Sequence, residues 1–204
     1  MIIKKKIVPA LAAIALCSLL AFTTGDPLTI GSPMPKADLK MKDISGKEVA
    51  MKDALKENGV LVMFSCNTCP YVIKNQERTL AISEYAIKMK VGVIILNSNE
   101  AYRGNEDSFD AMKEYAKDQG YKWNYVVDQD HVVADAFGAN RTPECFLFDK
   151  NLKLVYHGAI DDSPSDVSAI TRNHLQVAIN ELVNGKDISV KESRSVGCTI
   201  KRKS

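Results

Sequence analysis

Residues that would support a metal or nucleic-acid site are scarce in this chain of 204 residues. Its three histidines, His131, His157 and His174, lie far apart and at positions typical of surface or core residues rather than of metal ligands. The net charge is only +2, and part of the basic excess sits at the two ends, in residues 4–6 and 201–203. Basic chain ends are usually solvated, so we predict no nucleic-acid partner. The sequence also lacks internal repeats and low-complexity linkers, which favours one domain.

No apolar run is long enough to span a bilayer comfortably. The best candidate, residues 7–22, follows the basic Lys4 to Lys6 and precedes a small, polar segment. This arrangement predicts an export signal over residues 1–25, removed from a periplasmic or secreted protein. Cys17 opens the alternative of a lipoprotein anchor, which would attach the protein to a membrane, although Leu16 before it is bulkier than such a site usually allows. A retained membrane anchor is disfavoured because the segment is short.

The chain has five cysteines, and their placement is informative. Removal of the signal leaves four cysteines: Cys66, Cys69, Cys145 and Cys198. The first two form a C-x-x-C directly after the apolar run 60–64 and directly before a helical pattern. A strand that ends in a C-x-x-C opening a helix indicates redox chemistry first and metal binding second. Outside the cytoplasm such a pair can cycle through a disulfide.

Hydrophobic periodicity predicts alternating strands and helices. Buried strands are predicted at 59–64, 91–96, 125–127, 146–148 and 154–156, the last two joined as a hairpin. Ile73, Leu80 and Ile87 recur at seven-residue spacing and predict an amphipathic helix of about five turns after Pro70. Further helices are predicted at 108–119, 132–137 and 166–183, the last with Val167, Ile170, Ala178 and Leu182 on one side. This order predicts an α/β mixed sheet with helices on both faces.

The motifs resemble those of the thioredoxin-like redoxins, near the peroxiredoxins and the cytochrome-maturation thioredoxins. The matching segments cover nearly all of the predicted mature chain and are residues 30–35, 46–49, 66–70, 136–139, 142–144, 146–149, 174–179 and 197–201. The resemblance implies a thioredoxin fold. It also implies that the Thr142-Pro143 bond is cis and lies opposite the cysteine pair, where the backbone binds an extended peptide.

The cysteine pair predicts thiol–disulfide exchange. The amino end of the following helix would lower the pKa of Cys66, making it the attacking thiol, with Cys69 as the resolving thiol. We therefore predict an exported thiol–disulfide oxidoreductase that acts on a protein disulfide or dithiol, with a separate redox partner and no cofactor. Copper transfer by the Cys66 and Cys69 thiolates is the main alternative, and a binding module without turnover is a third.

Three features depart from the family pattern. The strand before the cysteines has no acid, so a proton acceptor for Cys69 would come from Glu144 or from water, unless Glu144 is only an exposed charge at a strand end. Thr68 replaces the usual proline, which leaves the direction of electron flow open. Met63 stands where the resemblance to peroxiredoxins requires threonine, which disfavours a peroxide site at Cys66.

Two cysteines remain. Cys145, in a predicted central strand, is best interpreted as a buried apolar thiol. Cys198 belongs to a polar tail, residues 191–204, that should be mobile unless it docks on the predicted domain of residues 26–190. It could bond Cys145, join a partner chain, or fold back to relay electrons from the Cys66–Cys69 pair.

Overall fold

A computed structural model describes residues 26–203 and shows one mixed sheet between two hydrophobic cores. The predicted export signal lies outside the described residues. The strands are β1 Met41–Lys42, β2 Glu48–Val49, β3 Gly59–Ser65, β4 Val91–Asn97, β5 Asn124–Val127, β6 Arg141–Thr142, β7 Glu144–Phe148, β8 Leu154–Gly158 and β9 Cys198–Thr199. The helices are α1 Pro70–Lys74, α2 Gln76–Lys88, α3 Phe109–Asp118, α4 Val132–Phe137 and α5 His174–Val183.

The central sheet has the order β5-β4-β3-β7-β8. The pairs β3–β4 and β4–β5 are parallel, whereas β3–β7 and β7–β8 are antiparallel. Strand β3 lies in the middle, and all seven of its residues are buried, as its continuous apolar composition predicted. The carboxyl end of this rigid strand delivers the C-x-x-C segment.

Side chains alternate between the two faces of β3 because the period of a strand is two residues. Val60, Val62 and Phe64 enter a core that α4 closes, while Leu61 and Met63 enter a second core against α2, α3 and α5. The prediction of a thioredoxin-type mixed sheet with helices on both faces is therefore confirmed. None of the helices described is long and apolar enough to cross a bilayer.

The predicted five-turn helix after Pro70 is wrong in two respects. It is interrupted at Asn75, whose backbone leaves the helical region and whose side chain donates hydrogen bonds to Tyr71 O at 2.7 Å and Pro164 O at 3.1 Å. Ile73 and Ile87 are 49% and 45% exposed, so the seven-residue repeat does not mark the core face. The interruption separates the faces of the two helices, and a straight helix drifts from a seven-residue repeat in any case.

The last helix is shorter than predicted. It begins at His174 rather than Asp166, and the Asp166 carboxylate instead accepts a hydrogen bond from Ser168 N at 2.9 Å, capping a 3-10 turn, Val167–Ala169. Val167 is 62% exposed and does not join the packed face. An acidic cap at the start of a helical pattern indicates a first turn, but it does not determine how far the helix continues.

The C-terminal segment docks along the domain throughout residues 191–202. His157 N donates to Lys191 O, and Ser193 N donates to His157 O, which aligns the segment beside β8. Farther along, β9 pairs antiparallel with β6, and Ile200 is buried. The Arg202 guanidinium donates to Asp135 Oδ1 at 2.8 Å and to Ala139 O at 2.7 Å. The sequence analysis left open whether the tail docks on the domain, and the structure shows that the tail is packed against it.

Candidate active site

Three cysteines and one threonine meet at the carboxyl end of β3. Cys66 follows the strand, and Cys69 is the residue that precedes α1. The Cys66 Sγ lies 3.6 Å from Thr142 Oγ1, and the Cys69 Sγ lies 3.4 Å from Thr142 O. Cys69 forms a disulfide with Cys198, and their Cα atoms are 6.1 Å apart. Cys66 is a free, buried thiol in the same cluster.

The Thr142-Pro143 peptide bond is cis, as the resemblance implied. Thr142 itself is in β6 and pairs in register with Cys198 of β9, while Arg141 pairs with Thr199. The two sequence motifs that the prediction placed opposite each other are thus in contact. The structure adds an extended segment of the same chain along the edge of Thr142.

The expectation of a lowered Cys66 pKa is wrong for this state of the protein. Burial raises the pKa of the Cys66 thiol. The hydrogen bond with Thr142 lowers this pKa, and the negative charge of Asp107 raises it further. Helix α1 begins only at Pro70, so Cys66 is not in its first turn. Desolvation of the thiolate therefore outweighs any stabilisation by the helix.

Glu144 is also placed differently from either prediction. It is only 5% exposed, so it is not a solvated strand-end charge. One carboxylate oxygen accepts hydrogen bonds from Asn140 N at 2.8 Å and Arg141 N at 2.9 Å, and the other lies 2.7 Å from His157 Nε2. Glu144 thus fixes the turn that precedes Thr142, and its oxygens are engaged there rather than by a cysteine sulfur.

Cys145 is a fully buried thiol in the second core, as predicted, and it is not bonded to Cys198. Burial raises its pKa strongly, with smaller contributions from the negative charges of Glu144 and Asp161. A neutral thiol in an apolar environment is a poor nucleophile. Cys145 therefore contributes to packing.

Sequence reasoning missed a buried polar network beneath the cysteines. Asp107 is fully buried, and its carboxylate accepts hydrogen bonds from Asn67 N at 2.9 Å, Asn97 Nδ2 at 2.7 Å and Asn99 Nδ2 at 2.9 Å. Asn99 Oδ1 in turn accepts from Lys201 N at 2.8 Å. The network joins the C-x-x-C loop to the tail. The sequence signal for this network was the polar run that directly follows the buried strand β4. In parallel sheets, functional sites form at the carboxyl ends of the strands.

The Asp107→Asn substitution is expected to lower the pKa of the Cys66 thiol. A carboxylate disfavours a nearby thiolate, so a neutral amide at the same position lets the thiolate form at lower pH. The new amide also mismatches one donor, which should cost about 1–3 kcal/mol of folding free energy. The ultraviolet absorbance of the thiolate, followed against pH as the difference between proteins with and without Cys66, measures the shift.

The matched control for this prediction is Asp110→Asn. It makes the same charge change on α3, at a side chain that is 93% exposed, where solvent screens the charge. We expect no displacement of the Cys66 titration. A titration in Asp107→Asn that stays in place, or moves to higher pH, would contradict the assigned effect of the carboxylate.

Comparison with known proteins agrees with this geometry. The model of the Redoxin family matches residues 29–172, more than half of the chain. The chain belongs to the Redoxin family. A relative, the thiol-disulfide oxidoreductase ResA of Geobacillus thermodenitrificans strain NG80-2, is 30% identical over 135 residues, which are 65% of this chain and 71% of that protein.

Two solved structures match a larger share of this redoxin than the ResA relative does. An uncharacterized conserved protein from Geobacillus kaustophilus has a TM-score of 0.80 at 32% identity, and the match covers 86% of this chain and 93% of that one. The hypothetical protein SMc02350 from Sinorhizobium meliloti 1021 also has a TM-score of 0.80, at 29% identity, over 90% of this chain and all of that one. Together with the family and the ResA relative, the fold identifies this redoxin as an oxidoreductase.

Metal binding was the main alternative prediction for the cysteine pair. Within residues 26–203, no group of three or more His, Cys, Asp or Glu side chains is arranged to hold a metal ion. In the oxidation state described, one of the two proposed copper ligands, Cys69, is bonded to Cys198. Among the described residues, no specific contact in the site favours copper transfer over thiol–disulfide exchange.

Proposed function

We propose that this redoxin is an exported thiol–disulfide oxidoreductase that cycles Cys66 and Cys69 against protein substrates. The observation that carries the proposal is the position of both sulfurs at Thr142, one beside its hydroxyl and the other beside its carbonyl oxygen. An extended peptide lying along Thr142 would bring a cysteine to these sulfurs, because the tail strand at the same edge already brings Cys198 to Cys69.

In the direction of substrate reduction, the Cys66 thiolate attacks one sulfur of a substrate disulfide. A Cys66–substrate disulfide forms, and the other substrate sulfur leaves as a thiolate that takes a proton. The Cys69 thiolate then attacks Cys66 Sγ, forming the Cys66–Cys69 disulfide and releasing the second substrate thiol. Two electrons pass to the substrate. The roles of Cys66, Cys69, Thr142 and Pro143 in these steps are part of the proposal.

Export is the second part of the proposal. It is supported by the charge and hydrophobicity pattern of residues 1–25. N-terminal sequencing of the protein recovered from the periplasm or medium tests this. We expect a chain that starts near residue 26, and an intact Met1 would contradict it.

A trapping experiment tests the assigned roles. The double variant Cys69→Ser/Cys198→Ser leaves Cys66 able to attack but removes both thiols that could resolve the adduct. Incubation of the reduced variant with insulin should therefore accumulate a mixed disulfide between Cys66 and one insulin chain, because attack does not need the resolving thiol. Mass spectrometry of the acid-quenched mixture locates the linkage.

The matched control for the trap is Cys66→Ser/Cys198→Ser, which keeps only Cys69 at the site. Because Cys69 is the resolving thiol in the proposal, we expect little adduct from this variant. An adduct that forms on Cys69 as readily as on Cys66, or on neither, would contradict the proposed function.

A further inference from the structure

The tail does more than pack near the cysteines, because its strand occupies the edge where the substrate is proposed to bind. Strand β9 pairs with β6 so that Cys198 faces Thr142. Gly197 passes so close that a Cβ there would lie 2.1 Å from Thr142 O. The tail reaches this position from a second close approach, where a Cβ on Gly158 would lie 2.2 Å from Ser193 Oγ. Two glycines thus permit the docking.

We propose that Cys198 is a third redox cysteine of this site and the residue at which an external thiol exchanges electrons with the protein. The inference rests on the proposed function, because Cys198 supplies the steps that convert the Cys66–Cys69 disulfide of that cycle back to two thiols. Each sulfur then has a separate role. Cys66 reacts with the substrate, Cys69 transfers the disulfide within the protein, and Cys198 reacts with the electron donor.

Accessibility decides which sulfur the donor reaches. Cys66 and Cys69 are 1% and 5% exposed, whereas Cys198 is partly exposed. A cavity of about 200 Å³ borders all three cysteines and is also lined by residues of the docked tail, Thr199 and Lys201. Exchange requires a thiolate to approach the sulfur that it attacks, so an external thiol meets Cys198 before the other two.

The sequence of steps balances. After substrate reduction, the Cys198 thiolate attacks Cys69 Sγ of the Cys66–Cys69 disulfide. The Cys69–Cys198 bond forms, and Cys66 leaves as a thiolate that takes a proton. The product has the Cys69–Cys198 disulfide and the free Cys66 thiol that the structure shows. A donor thiolate then attacks Cys198 Sγ, and Cys69 leaves as a thiolate. A second donor thiol attacks the donor sulfur of this mixed disulfide, which forms the oxidised donor and frees Cys198.

The docked tail also separates the two half-reactions. While the Cys69–Cys198 bond exists, β9 covers the Thr142 edge and Cys66 is buried, so a substrate cannot align with it. Reduction of that bond removes the covalent tie and leaves the tail held by noncovalent contacts, namely the β6–β9 hydrogen bonds, the buried Ile200 and the Arg202–Asp135 ion pair. The protein therefore accepts a substrate only after it has received electrons.

Glutathione serves as the probe for the site of donor attack. The oxidised protein is treated with limiting glutathione, quenched with acid, blocked with N-ethylmaleimide and mapped by mass spectrometry. We expect the starting disulfide to join Cys69 and Cys198. We also expect about tenfold more glutathione on Cys198 than on Cys69, because access to the attacked sulfur governs the rate.

The matched variant Cys66→Ser keeps the Cys69–Cys198 disulfide and should show the same distribution of glutathione, which excludes rearrangement through Cys66. Glutathione found mainly on Cys69 or Cys66, or a starting disulfide between Cys66 and Cys69, would overturn the inference. The insulin trap lacks both Cys69 and Cys198. Its failure would contradict the proposed function itself, so the two results are distinguishable.

A separate experiment tests whether the docked tail covers Cys66. Gly197→Ala places a methyl group against Thr142 O without removing a thiol. In the oxidised protein we expect alkylation of Cys66 to become about tenfold faster than in the wild type, because weaker docking exposes it more often. Alkylation of Cys145, buried in the second core, serves as the internal control and should not change. Equal rates for Cys66 in both proteins would contradict the covering role.

Discussion

Cys66→Ser is expected to reduce the rate of insulin-disulfide reduction by about a thousandfold or more, to the background of the added dithiothreitol. A hydroxyl does not perform the exchange that a thiolate performs, and neither neighbouring cysteine can take its place. Cys69 is buried, and in the proposed cycle it resolves the adduct, whereas Cys198 exchanges with the electron donor. The turbidity of precipitating insulin chains, corrected for dithiothreitol alone, measures the rate.

Cys145→Ser is the appropriate control because it also exchanges one buried thiol for a hydroxyl. Its sulfur lies in the second core and has no contact with Thr142 among the hydrogen bonds of the described chain. Activity per folded molecule should remain within about twofold of wild type, even if the buried hydroxyl lowers stability by about 1–3 kcal/mol. Substantial activity in Cys66→Ser would show that another residue attacks the substrate.

Arg78→Ala is expected to lower the free energy of unfolding by about 3–5 kcal/mol, because it leaves a buried carboxylate without its cation. The guanidinium donates to both oxygens of Asp161, at 2.9 and 2.8 Å, and to the carbonyl oxygens of Ser163 and Pro164. The side chains of Arg78 and Asp161 are 12% and 1% exposed. This pair joins α2 to the loop before α5, and urea unfolding of the oxidised protein measures the loss.

Lys88→Ala, on the same helix, tests whether burial of the pair is the cause. Lys88 is exposed, so its removal should change stability by no more than about 0.5 kcal/mol. The double variant Arg78→Ala/Asp161→Ala should lose less than the sum of the two single variants, because no unpaired charge then remains buried. Additive losses, or a loss in Arg78→Ala as small as that in Lys88→Ala, would contradict this explanation.

The elements that the sequence located well are those whose environment can be read from neighbouring residues. Strand β3 was recognised as buried on both faces because its residues are apolar without alternation, and its position determines where Cys66 and Cys69 lie. The resemblance to the redoxins also placed Thr142 and Pro143 opposite the pair. Local hydrophobicity and short motifs carry this information within a few residues.

Helix boundaries were less well determined. The repeat of Ile73, Leu80 and Ile87 is a regular helical signal, yet Asn75 interrupts it through hydrogen bonds to Tyr71 O and Pro164 O. One of these partners lies 89 residues away along the chain. A local pattern cannot contain a contact of that kind, so the interruption becomes visible only after the loop has packed against the helix.

By itself, the sequence determined the sheet, the junction at which the C-x-x-C stands, and thiol–disulfide exchange as the chemistry most natural to it. Only the tertiary structure decided that Cys69 is joined to Cys198, 129 residues later, and that the tail lies along Thr142. It also decided that the pKa of Cys66 is raised, since burial is the largest cause. The physical reason is common to all three: each depends on what distant segments place around a sulfur atom, and residue spacing does not encode that.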